Sequence, residues 1–524
     1  MAELWLPLGV AILWIGTLAG LVRSFHMLQQ NSYRAGRYMR WAKTAPKGRP
    51  AACLLAAAVW AGAWFVWRPL LPFLAACFAA VRIARQVSEQ KKAIKPLVFT
   101  ARVKRLWVTA CLLAAADGAL CFVLAQPGRL WAALAGVVCF ACAPLVALAA
   151  LFINAPGEKL VARWYIGDAK RRLKRSPGLV VLGVTGSYGK TGVKFMITRL
   201  LQEKYTVTCT PESFNTPMGV VRTIREKWKP GTQIFVVEMG AKQVGDIAEI
   251  CRIVHPDHGV ITAIGPQHLD TFKSMDNIIA TKFELADAVA ARQGVMFLNC
   301  DSAPVADHAP VPKAVRYGTD PALDVYAADL RYEPDGACFT VCAGNVRLPV
   351  RTRLLGQHNV VNVTAAVAVA LHFGVDPADI QFAVSRLQPA EHRLQPKRFD
   401  RGATLIDDAY NANPAGSIEA VNVLGRFENK RKIIVTPGLV ELGEQEQQHN
   451  FNLGVRAGQV CDDIYLVGTN RSKPIADGVR STGFNEERLH IAASFREVMD
   501  ALRPTLDDTC VVLLENDLPD NYLY

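Results

Sequence analysis

The stretch LVVLGVTGSYGKTGVKFMITRLL, residues 179–201, decides the fold. Leu179 to Gly183 is an apolar run of the kind that forms a strand buried on both faces. Thr185-Gly186-Ser187-Tyr188-Gly189-Lys190-Thr191 follows as a glycine turn, and apolar residues then recur at helical spacing. Strand, glycine loop and helix in this order make a phosphate-binding loop. Backbone N–H groups at the helix start face an anion, Lys190 neutralises it, and the Thr191 hydroxyl can reach Mg²⁺. The usual first glycine of that pattern is Val184 here, with Gly183 and Gly186 beside it.

Two further strands lie downstream. IFVVE (234–238) ends in Glu238, and HGVITAIG (258–265) delivers Gln267 and His268. A helix containing Lys282 follows. Ligands of open parallel sheets gather at the carboxyl ends of the strands, so Lys190, Thr191, Glu238, His268 and Lys282 form one candidate cluster. Residues 300–356 alternate in short runs and predict a small β insertion. Asn359 and Asn362 then open an alanine-rich helix, three apart and on one face, where they could cap the helix or read a purine. From Phe399 a second β/α alternation begins without a G-x-G-x-x-G, which predicts a separate Rossmann-like domain with no dinucleotide.

The N-terminal third has a different texture. The 524 residues are 51% hydrophobic and 20% charged, with a net charge of +13. Residues 1–175 hold 24 Lys/Arg against 5 Asp/Glu, whereas the remainder holds 35 against 41. Apolar stretches at 4–22, 51–67, 69–81, 106–125 and 130–153 predict four or five membrane-crossing helices in a domain spanning 1–155. The basic segments 23–50 and 82–105 then face the cytoplasm, as do the catalytic domains of a multi-pass bacterial membrane protein. Residues 156–178 read as a basic linker, an amphipathic helix lying on anionic lipid of the inner leaflet. Basic residues that flank apolar runs argue against nucleic acid as a partner. Asp117 lies inside the fourth stretch, as either a functional acid or a helix contact. The 13 scattered cysteines suit a reducing compartment. The expected architecture is an α-helical transmembrane domain, a parallel-sheet ATPase domain (179–395) and a C-terminal Rossmann-like domain (396–524).

The motifs TGSYGKT (185–191), SFNTPMG (213–219), VEMG (237–240), QHLD (267–270), ATK (280–282), GQHNVVN (356–362), EHR (391–393), IDDAYNANP (406–414) and ELGE (441–444), in that order, resemble the Mur ligase family. The last long motif resembles the type that joins D-Ala-D-Ala to a muramoyl peptide. The resemblance implies an ATP-dependent amide ligase of cell-wall precursor synthesis that works through an acyl phosphate. Its partners would be a muramoyl-peptide precursor and an amino-acid or dipeptide amine. It implies that residues 185–191 bind the ATP phosphates, that Thr191, Glu238, His268 and a carbamylated Lys282 hold two Mg²⁺, and that Asn359 and Asn362 face the adenine. Arg393 and Asp408 would reach the nucleotide, and Asn215, Asn411 and Asn413 the substrate. Lys190, Lys282, His268 and Arg393 would be the catalytic group. Two departures stand out: membrane stretches replace the family's N-terminal sugar-binding domain, and CVVLLEND (510–517) replaces its C-terminal K-G-S-R. Alternatives are a related ligase acting on a lipid-linked precursor or a polyglutamate-like chain, and a non-catalytic nucleotide-binding membrane scaffold.

Overall fold

The computed structural model describes residues 5–31, 33–44, 70–92, 96–124, 143–211, 214–267, 269–309, 311–333, 336–389, 391–409, 413–440, 442–469 and 471–516. The chain divides into two compact units, one ending at Trp164 and the other beginning at Tyr165.

The second unit holds two sheets. The first contains β1 (Val180–Thr185), β2 (Val207–Cys209), β3 (Ile234–Glu238), β4 (His258–Ile261), β5 (Met296–Asn299), β6 (Ala314–Gly318), β7 (Val325–Glu333), β8 (Gly336–Ala343) and β9 (Val346–Thr352). Their spatial order is β2-β3-β1-β4-β5-β6-β7-β8-β9. β1 pairs in parallel with β3 on one side and β4 on the other. The chain therefore leaves β1 in one direction, returns, and continues in the other. The carboxyl end of β1 is the switch point at which such sheets bind ligands. The expected β insertion is β7 to β9, which extends the sheet edge with antiparallel pairing.

Both faces of β1 are covered. Leu182 and Val184 pack with Val193 and Ile197 of the Lys190–Leu201 helix and with the Gln357–His372 helix. Val181 packs on the opposite face with Phe235, Ile250 and Leu285. In the Gln357–His372 helix every residue from Val360 to Ala370 is buried, as its Ala/Val content permits.

The second sheet contains β10 (Gln395–Arg398), β11 (Thr404–Asp408), β12 (Arg431–Thr436), β13 (Asp463–Val467), β14 (Leu489–Ala492) and β15 (Cys510–Glu515), in the order β10-β11-β15-β12-β13-β14. All pairs are parallel except β10–β11. This is the expected Rossmann-like alternation, with two short strands, β10 and β14, that the sequence pattern did not reveal.

The first unit is helical, but it does not match the expected set of spans. The uncharged run 4–22 belongs to a helix, Trp5–Gln30, that continues through Arg23. The run at 69–81 continues as a helix to Lys92, through what was expected to be a basic loop. Ala35–Thr44, also assigned to a basic loop, is helical, and its Tyr38 is fully buried. The runs 51–67 and 130–142 lie outside the described residues. Among the described residues one helix, Ala143–Lys174, is long and apolar enough to cross a membrane. A multi-pass membrane protein, and the cytoplasm-facing topology built on it, is therefore not upheld. The helix expected across the basic linker is present. Residues 156–174 continue that same helix, and Tyr165, Ile166, Ala169 and Leu173 pack into the core of the first sheet's outer layer. Asp168 is paired with Arg225 at 2.9 Å, and the Arg225 guanidinium lies over Tyr165. This apolar face is occupied by protein.

Candidate active site

The loop after β1 shows why glycine is needed at two positions. Gly186 has φ +147°, and a Cβ there would fall 2.0 Å from Thr262 Oγ1. Gly189 has φ +79°, and a Cβ there would fall 2.8 Å from Asn362 Oδ1. The loop is pinned to the segment after β4. The amides of Ser187 and Tyr188 both donate to Ala263 O, at 2.8 and 3.2 Å. Ser187 Oγ donates to Gly265 O and the Tyr188 hydroxyl to Pro266 O. Thr185 Oγ1 turns away to Met239 O. Lys190 Nζ curls back onto the loop, donating to Gly186 O at 2.8 Å and Ser187 O at 2.7 Å. Burial pushes its amine down to about 8, aided by Arg393 and opposed by Glu238.

Glu238, at the end of β3, gathers three donors, two from the Lys190–Leu201 helix and one from the segment before Pro217. Its Oε1 accepts from Thr191 Oγ1 at 3.1 Å and from Asn215 Nδ2 at 2.9 Å. Its Oε2 accepts from Lys194 Nζ at 3.0 Å. Its own N–H donates to Thr210 Oγ1. Lys194 and Glu238 have side chains 0% and 1% exposed, so this is a fully desolvated ion pair. Sequence reading missed Lys194. The signal was a lysine four residues after Lys190, on the face of the helix that buries Val193, Met196 and Ile197.

Lys282 is buried on the Met275–Ala290 helix. Burial holds its amine well below the usual lysine range, reinforced by Lys190 and opposed by Asp246 and Glu284. Glu284 also accepts the amides of Gly245 and Ala248, tying the start of the Asp246–Val254 helix to this one. Asn362 presses its carboxamide on Gly189 and donates to Asn359 Oδ1 at 3.3 Å, while Asn359 Nδ2 donates to Leu355 O. The pair thus abuts the phosphate loop itself.

From the second sheet, Arg393 interacts electrostatically with Lys190, His358, Asp408 and Glu515. It sits between His392 and Leu394, which have φ 57° and 42°. Leu394 N–H donates to Asp408 Oδ1 at 3.1 Å. Asp407 Oδ2 holds His392 Nδ1 at 2.8 Å and Lys397 Nζ at 2.7 Å. Asn413 caps the Pro414–Gly425 helix by accepting from Gly416 N. His268 and Asn411 lie outside the described residues. Among the described residues no three His, Cys, Asp or Glu side chains gather into a metal-binding group.

A phosphate loop, a strand-end carboxylate and a buried lysine at the switch point of a parallel sheet, faced by an arginine from a second α/β domain, define a nucleotide-dependent enzyme. The comparisons specify which. Residues 184–370 match the Mur ligase middle domain and residues 392–515 the Mur ligase glutamate ligase domain. The chain belongs to the Mur ligase family, the ATP-dependent ligases of peptidoglycan precursor synthesis. It is 29% identical over 340 residues to the UDP-N-acetylmuramoyl-tripeptide–D-alanyl-D-alanine ligase of Bacillus subtilis, covering 64% of this chain and 73% of that one. It is 33% identical over 305 residues to the ligase of the same name from Mycobacterium tuberculosis, covering 56% of this chain and 59% of that one, less than two-thirds of the relative's length. Among solved structures, MurF from Acinetobacter baumannii superposes with a TM-score of 0.61 at 27% identity, covering 68% of this chain and 77% of that one. MurF from Thermotoga maritima in complex with ADP gives 0.61 at 25% identity, covering 69% and 81%.

Proposed function

We propose that this chain is an ATP-dependent amide ligase that joins D-Ala-D-Ala to a UDP-linked muramoyl tripeptide, with residues 179–395 binding ATP and residues 396–524 completing the site. The observation that carries the reading is the convergence of Lys190, Thr191–Glu238 and the buried Lys282 at one strand edge. The names of the relatives supply the substrates.

A carboxylate is a poor electrophile, so the reaction runs in two displacements. A substrate carboxylate oxygen attacks the γ-phosphorus of ATP, and ADP leaves with the electrons of the broken P–O bond. The amine nitrogen then attacks the carbonyl carbon of the acyl phosphate, the C–O bond to phosphate breaks, and a proton leaves the nitrogen. Both steps need alignment and charge neutralisation. Lys190 releases its two loop carbonyls to meet phosphate oxygens, and Arg393 approaches from the other domain. Asn359 and Asn362 back the loop on the nucleotide side, and a substrate-binding role is assigned to Asn215, Asn411 and Asn413.

The oxygen donors of Thr191 and Glu238, 3.1 Å apart, suit a hard divalent cation. Mg²⁺ held there, with His268, would neutralise phosphate charge. An ammonium at Lys282 would oppose it, but the neutral amine can attack CO₂, forming an N–C bond, losing one proton and becoming a carbamate. Lys282 so modified would be an oxygen ligand rather than a cation and, with Thr191, Glu238 and His268, would help hold Mg²⁺.

The test is phosphate release by purified protein given ATP, Mg²⁺, D-Ala-D-Ala and either UDP-linked or lipid-linked muramoyl tripeptide. Release with the UDP-linked form is expected. Release with the lipid-linked form alone, or tight ATP binding with no release, would overturn the assignment.

A further inference from the structure

The Gln357–His372 helix starts without a side-chain cap of its own, because its N-cap is Gly356, at φ 91°. The first amides of a helix need an acceptor from outside it. Here the acceptor comes from the second domain. Glu419, on the Pro414–Gly425 helix, takes the Gln357 N–H on its Oε1 at 2.8 Å. Its carboxylate is held from behind by Asn422 Nδ2 on Oε2 and by Arg426 on Oε1, both at 3.1 Å. Arg456 Nε donates to Asn422 Oδ1 and fixes that amide in turn. The Arg426 guanidinium lies over the ring of Tyr332 on β7, 4.2 Å from its centroid. Leu355, just before the capped turn, is buried in the apolar cluster of the second domain that holds Leu394, Ile406, Ala420 and Leu424. One helix of the C-terminal domain thus meets the central domain at Tyr332 and Gln357, beside Leu355.

From the capped turn a short chain of contacts runs to the phosphate loop. Asn359 Nδ2 donates to Leu355 O at 2.7 Å, Asn362 Nδ2 donates to Asn359 Oδ1 at 3.3 Å, and the Asn362 carboxamide lies against Gly189. We infer that Glu419 is a positioning residue for the nucleotide site: by capping this helix from the C-terminal domain, it sets the asparagine pair and, through it, the phosphate loop. This deepens the ligase reading and rests on it for the identity of the nucleotide. A carboxylate at a helix start is favoured both by the hydrogen bond and by the helix dipole. Without Glu419 the Gln357 amide must turn to water, the first turn loosens, and Asn362 loses its fixed place against Gly189. The linkage runs both ways. A nucleotide that orders the loop also strengthens the hold of one domain on the other.

The experiment compares three variants of the full chain. Glu419→Ala removes the acceptor, Glu419→Asp keeps the charge but falls one methylene short of the Gln357 amide, and Glu419→Gln keeps an Oε1 oxygen in place. The alanine and aspartate variants are expected to bind a fluorescent ATP analogue about tenfold more weakly, as loss of a helix cap implies. Their KM for ATP should rise by the same factor, with kcat and the KM for D-Ala-D-Ala within about threefold of the parent. Glu419→Gln is expected to stay within about threefold of the parent throughout. Hydrogen exchange of the peptide covering residues 357–362 should quicken in the alanine and aspartate variants and not in Glu419→Gln. Asn362→Ala should weaken the analogue too, and adding Glu419→Ala to it should cost little more, because both changes break one path. Fully additive losses, or quickened exchange with unchanged ATP affinity, would overturn the positioning role and leave the ligase standing. A parent protein that does not bind the analogue would overturn the ligase reading, and with it the nucleotide on which this proposal rests.

Discussion

Replacing Lys194 by methionine tests the ion pair under the phosphate loop. Methionine matches the chain as far as Cε and removes the ammonium. Both partners are out of water, and removing one half of such a pair costs about 3–5 kcal/mol, because the other charge is left buried. Glu238 would retain the bonds from Thr191 and Asn215, which argues for the lower end of that range. A loss of roughly 3 kcal/mol is about a 150-fold change in an opening equilibrium. Because the chain has several domains, the measurement must be local. Hydrogen exchange of peptides covering β1 and β3, read by mass spectrometry, reports the stability of these strands directly. Lys194→Met should exchange there about 150-fold faster, with the second sheet nearly unchanged. The double variant Lys194→Met/Glu238→Gln removes both charges and should recover most of the protection. Exchange in Lys194→Met within threefold of the parent would refute the claim that this pair supports the site.

Gly189→Ala should lower ATP affinity, since a left-handed alanine costs roughly 1–2 kcal/mol before its contact with Asn362 is counted, and equilibrium binding of a fluorescent ATP analogue would read it. Lys190 gives a pH dependence. Its free-site value is about 8 and bound phosphate raises it, so nucleotide affinity should hold below pH 8 and fall with each unit above, with proton uptake on binding seen by calorimetry in two buffers. In the folded protein alone the sign is opposite. The unfolded lysine keeps its proton to about 10.5, so stability contributed by this group rises between pH 8 and 10.5. Lys282→Ala should lose about a hundredfold or more in turnover and regain part of it with added acetate or formate, whereas full turnover in that variant would remove the carbamate from the mechanism.

Much of the ligase half could be read from the chain because its signals are local. The strand–glycine loop–helix from Leu179 to Leu201, the acid that ends β3 and the second alternation from Thr404 each lie within one window. Their shared edge follows from parallel topology. What escaped reading depends on contacts between distant segments. β10 and β14 have four residues each, and β10 is a polar edge strand with a proline, so neither carries a period. Lys194 looks like an exposed helix residue until Glu238 arrives from 44 positions away. Glu515 and Asp408 become neighbours only through the β11–β15 register. The N-terminal third misled for a related reason. Charge-free runs suggest membrane spans when the adjoining basic segments are taken as loops, but Arg23 and the residues to Lys92 continue the helices, and Ser24, His26 and Tyr38 are buried among them.

The backbone on either side of Arg393 acts like a wound spring. His392 and Leu394 are both held left-handed, at roughly 1 kcal/mol or more each, in the segment that leads into the second sheet. What holds them is the grip of Asp407 on the His392 ring and of Asp408 on the Leu394 amide. The two aspartates at the tip of β11 thus fix the backbone on either side of Arg393, and with it the direction from which the arginine reaches out.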